Sequence, residues 1–104
     1  MKILNLQDFL KMPSGTVFRK FEPCIYDGIC IKKDSINTID FCYVGTDFVD
    51  GDDQYVNLET GEFKMEYIVG RDGCFDEDQL FAVYDKYDLV ELIEVLQESL
   101  NIYE

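Results

Sequence analysis

The sequence predicts one α+β domain spanning residues 1–104. The expected form is a bent antiparallel sheet or small half-open β-barrel of about six short strands. A short N-terminal helix and a long amphipathic C-terminal helix complete it. Three observations point there. Leu89, Leu92, Ile93, Leu96 and Leu100 fall within about 100° of arc when wound at 3.6 residues per turn, with Glu91, Glu94 and Glu98 opposite. Upstream, short apolar or alternating runs are separated by Gly, Asp and Asn turns. And 104 residues, 47% hydrophobic, suffice for a core without metal or disulfide staples.

Taken in order, Asn5 to Lys11 reads as a short helix capped by Asn5 and stopped at Met12-Pro13-Ser14-Gly15. Thr16 to Phe21 reads as a strand whose adjacent Arg19 and Lys20 point to opposite faces. Cys24–Tyr26 and Gly28–Lys33 fit two strands around an Asp27-Gly28 turn, or one strand bulged at Gly28. Ile39 to Val44 is a strand with Ile39, Phe41 and Tyr43 on one face. Gly45 to Asp53 reads as a polar loop. Gln54–Leu58 and Phe63–Val69 make a hairpin about Glu59–Glu62, and Gly70–Gly73 is a tight turn. Leu80–Tyr84 is a buried strand. Asp85 caps the last helix, with Asp88 as the rival cap. The leucine stripe is expected to pack over the sheet or plug its open end.

Charge is the strongest functional signal. The formal net charge is −13. Residues 1–39 carry six basic and four acidic side chains, net +2; residues 40–104 carry three basic and eighteen acidic, net −15. So one-sided a balance repels nucleic acid and anionic membrane and favours a partner with a basic surface. The N-terminus lacks the apolar core of a signal peptide, and no run approaches a membrane span, so a cytoplasmic setting is expected. Cys24, Cys30, Cys42 and Cys74 match no common zinc spacing and read as reduced thiols. The chain has no His and no phosphate-binding Gly loop, which argues against an enzyme and implies no cofactor.

Several constellations remain. Asp47, Asp50, Asp52 and Asp53 form an acidic loop that fails the EF-hand pattern and reads chiefly as solvated. Arg71, Asp72, Asp76, Glu77 and Asp78 suit an ion-paired turn better than a catalytic dyad. Asp47, Asp50, Asp52, Asp53, Asp76, Glu77, Asp78, Glu91, Glu94 and Glu98 together are the candidate acidic surface for a protein partner. The alternative is a pocket on the sheet for a nucleotide-like ligand, lined by Arg19, Lys32, Tyr43, Tyr67 and Arg71. Self-association stays open, because an exposed edge of a curved sheet can pair with a second copy.

Over LQDFLKMPSGTVFRKFEP and GRDGCFDEDQLFAVYDKYDLVELIEVLQ the chain resembles small uncharacterised accessory proteins of bacteriophages and prophages. The resemblance is one of overall pattern and brings no active-site residues. It implies a bacterial host cell and a protein that binds and blocks a host factor of defence or nucleic-acid handling.

Overall fold

The computed structural model describes residues 1–22, 25–26, 28–48, 56–57, 59–63, 66–73 and 76–103. The elements are β1 (Lys2–Asn5), α1 (Leu6–Leu10), β2 (Val17–Glu22), β3 (Ile25–Tyr26), β4 (Cys30–Ser35), β5 (Phe41–Phe48), β6 (Val56–Asn57), β7 (Glu62–Phe63), β8 (Glu66–Arg71), β9 (Leu80–Val83) and α2 (Lys86–Asn101). The fold is α+β, and its antiparallel sheet is not closed into a barrel. Strand order is β1-β9-β2-β4-β5-β8, with β3 also paired on β2. β6 and β7 form a separate two-stranded ribbon, Val56 opposite Phe63, at the turn end of the expected hairpin, whereas Glu66–Val69, expected in the same hairpin, belong to β8 and pair with β5.

The first strand was not expected from the sequence. Lys2–Asn5 pairs with Leu80–Val83 from the far end of the chain. Asn5 then turns the chain into α1, its side chain accepting from the Asp8 N–H at 2.9 Å. β3 and β4 both lie against β2. Phe21 faces Tyr26, whereas Phe18 faces Cys30, so the two pairings are offset by one residue. That offset fits one interrupted strand better than a hairpin. β5 runs on through Gly45 to Phe48, so the polar loop begins later than expected.

Gly70 and Arg71 are strand residues, not part of a turn. A Cβ at Gly70 would sit 3.6 Å from the Tyr43 hydroxyl, so this glycine marks a close cross-strand approach. The turn proper is at Gly73, with φ +63°.

Alternation along β2, β4 and β9 puts Phe18, Phe81 and Val83 on one face, and α1 lies against it. Phe9 stacks on Phe81 with ring centroids 4.0 Å apart and meets Phe18 and Phe41 edge-on. Leu4 and Leu6 complete this core. The short N-terminal helix therefore covers the sheet, a role expected of the C-terminal one.

Helix α2 forms as expected but is not packed as expected. Asp85 is its N-cap, and Asp88 is the reciprocal member of the same capping box. No residue of α2 is buried. Leu89 and Leu92 are half-buried near its root, while Ile93, Leu96 and Leu100 are 64, 58 and 55% exposed. The stripe is real, but α1 already occupies the apolar face of the sheet. The molecule is accordingly elongated, 46 × 33 × 26 Å. Its radius of gyration, 15.9 Å, exceeds the roughly 13 Å typical of a compact domain this size.

Candidate functional site

Two polar features are built by the sheet, and a third is presented by α2. The first centres on Asp40, which immediately precedes β5 and is fully enclosed. Its Oδ1 accepts from the backbone N–H groups of Phe41 and Gly73, each at 2.9 Å. Its Oδ2 accepts from Arg71 Nε. The Gly73 N–H, aided by Phe41 and Arg71, holds the Asp40 carboxyl below its usual range despite the opposing effect of burial. Arg71 does steady a carboxylate, as an ion-paired reading requires. That carboxylate is Asp40, which the sequence did not single out.

The second feature joins Lys20 to Asp72. The Lys20 amine lies 2.7 Å from Asp72 Oδ1, and the Asp72 side chain is almost wholly enclosed. Gln79 Nε2 donates to Asp72 Oδ2 at 3.1 Å and to the Asp76 carbonyl at 3.0 Å. Lys20 could have been flagged from sequence, because it shares a strand face with Phe18. Its partner, 52 positions away, could not.

The five residues of the pocket alternative do not converge. Lys32 and Tyr43 face each other across β4 and β5. Alternation puts Arg19 on the opposite side of β2 from Phe18, and Tyr67 and Arg71 opposite Gly70 on β8. The Lys32 amine is also committed internally. It donates to the Lys33 carbonyl at 2.9 Å and to Ser35 Oγ at 3.0 Å. It sits 6.0 Å from the centre of the Phe9 ring, with its side chain enclosed. Burial pushes its pKa down, partly offset by Asp34. Tyr43, of the same set, packs against the core formed by Phe18, Phe41 and Phe81.

Of the acidic candidates, Asp76, Glu77 and Asp78 lie exposed in a turn where Asp76 Oδ1 accepts from the Asp78 N–H. Glu91, Glu94 and Glu98 are all exposed on one stripe of α2. The backbone of Asp47 belongs to β5, and Asp50, Asp52 and Asp53 lie outside the described residues. So do Cys24 and Cys74, while Cys42 is a free thiol and Cys30 Sγ lies 3.7 Å from the Gly28 carbonyl. The Met1 amine, 2.8 Å from Asp88, holds that carboxyl below its usual range. Asp88 therefore belongs to the helix start, not to the acidic stripe. Among the described residues, no helix is long and apolar enough to cross a membrane. No protein-family model, curated protein or solved structure matches the chain.

Proposed function

We propose that the protein is a non-enzymatic, phage-type accessory protein that binds a host protein with a basic surface. The acidic half makes the contact, and the complex inhibits a factor of defence or nucleic-acid handling. The observation that carries this reading is the exposed stripe of Glu91, Glu94 and Glu98 on a helix that stands clear of the sheet. Successive members are three and four residues apart, which spaces their Cβ atoms roughly 5–6 Å on the surface. A row of carboxylates at that spacing can occupy a groove lined by Lys and Arg. The acidic turn at Asp76, Glu77 and Asp78 adds to the same negative field.

The host protein occupies no part of the sheet core in this reading. Asp40 and Asp72 are structural carboxylates, since each is enclosed and faces a cation of the same chain. The test is co-purification from a bacterial lysate at about 50 mM and about 500 mM salt, compared for the native chain and a Glu91→Gln, Glu94→Gln, Glu98→Gln variant. A basic partner retained at low salt, released at high salt and lost in the variant is the expected result. The same partner held equally by the triple variant would overturn the role of α2.

A further inference from the structure

We infer that β8 pairs with β8 of a second copy of this chain, antiparallel and centred on Ile68, so that one sheet runs through the dimer. β8 ends the strand order, and among the described residues no strand lies beyond it. Its ladder to β5 fixes which way its backbone points. The Asp72 N–H donates to the Phe41 carbonyl at 2.9 Å, and the register continues with Tyr43 opposite Gly70 and Gly45 opposite Ile68. The alternate residues, Tyr67 and Val69, therefore direct their N–H and C=O groups away from β5. Both are open to solvent, at 64 and 77%. What such an edge takes is another strand, because its donors and acceptors are already spaced for a ladder.

The self-match of β8 selects the occupant. With Ile68 opposite Ile68, Tyr67 of each copy faces Val69 of the other. This gives an aromatic and a β-branched side chain directly opposite each other on both sides of the axis, a stabilising cross-strand pair. The inter-copy hydrogen bonds run between the N–H and C=O groups of those same residues. Glu66 falls opposite Gly70, so no like charges meet, whereas centring on Val69 would set Glu66 against Asp72. A basic partner drawn to the acidic turn and to α2 finds no carboxylate between Tyr67 and Gly70. The other end of the sheet does not compete. β1 has four residues and begins with Lys2, a charge that blunts an edge, while β8 has six. A contact of β8 with β1 would also be head-to-tail and leave an edge open for further copies. β8 against β8 closes on a two-fold axis.

The contact uses no residue of the acidic stripe, so its failure leaves the reading of that stripe untouched. The experiment is sedimentation of the full chain from about 5 to about 200 μM at about 50 and about 500 mM salt. Val69→Pro, a Tyr67→Glu, Val69→Glu double variant and Leu96→Glu are run alongside, with far-UV circular dichroism to confirm folding. Val69→Pro removes an N–H that points away from β5, so the ladder within the chain is kept. The double variant sets glutamates opposite each other across the axis without touching the core. The expected result is a concentration-dependent dimer, tighter at high salt because each copy carries a formal charge of −13. It should be at least about tenfold weaker in both β8 variants and unchanged in Leu96→Glu. Exchange of the Tyr67 and Val69 amides, followed by NMR, should slow at least about tenfold in the dimer. A native chain that stays monomeric throughout overturns the inference. So does a dimer of unchanged affinity in the double variant, or one lost in Leu96→Glu and kept in Val69→Pro, which would place the contact on α2.

Discussion

Lys20 in β2 and Asp72 after β8 meet at 2.7 Å, although β4 and β5 stand between their strands in the sheet order. The pair ties the start of the long loop before β9 to the face that also carries Phe18. Its carboxylate is enclosed and its lysine is partly open to water.

Lys20→Met should therefore leave a buried carboxylate facing an apolar tip. Removing one partner of a buried pair commonly costs 3–5 kcal/mol, and the solvent reaching Lys20 lowers this to about 2–3 kcal/mol. Adding Asp72→Asn should recover about 1 kcal/mol or more, because the stranded charge is gone. Urea unfolding of the two single variants and the double variant measures the coupling. Strictly additive losses would show that the two groups do not depend on each other.

Much of this architecture was legible in the sequence, and the failures share a cause. The apolar run at Leu80–Val83 and the leucine stripe of α2 are local signals, and both elements formed where expected. Asp85 gave the helix start for the same reason, although Asp88, read as a rival cap, is in fact its capping-box partner. What pairs with what was not local. Lys2–Asn5 is a strand only because β9 lies beside it. Gly70 reads as a turn residue until Tyr43 is placed above it. The amphipathic stripe says that a face is apolar, not which element covers it. Phe9, in a helix of five residues, outcompeted it.

Asp40 should make acid sensitivity specific. Its folded-state pKa is lowered, so its contribution is complete above its unfolded value of about 3.9 and is lost as pH falls through the folded value. Protonating other carboxylates relieves repulsion over the same range, so the comparison with Asp40→Asn isolates the term. Urea midpoints from about pH 6 to about pH 2.5 should fall less steeply for Asp40→Asn than for the native chain. Parallel curves would show that Asp40 binds its proton equally well folded and unfolded.

Lys32 invites the opposite result. Its enclosed amine has hydrogen-bond acceptors, but no salt-bridge partner among the described residues. Lys32→Met keeps most of the volume beside Phe9 and removes a desolvated charge. The expected change at pH 7 is between neutral and about 1 kcal/mol more stable. Because the lowered pKa means that the unfolded chain binds the extra proton, native stability should rise with pH between the folded value and about 10.4. This rise should vanish in Lys32→Met. A variant less stable than the native chain by more than about 1 kcal/mol would show that the Ser35 and Lys33 contacts outweigh desolvation.

The antiparallel match of Lys2–Asn5 with Leu80–Val83 also sets the order of events during synthesis. β9 occupies the place between β1 and β2, and Phe81 completes the ring stack on Phe9. A nascent chain ending before β9 leaves a gap between β1 and β2 and deprives Phe9 of its stacking partner Phe81. Closing that gap brings together segments from opposite ends of the sequence, which is slow relative to local pairing. The chain consequently commits to its native state only after nearly all of it has left the ribosome, and a truncation before β9 removes Phe81 and Val83 from the core.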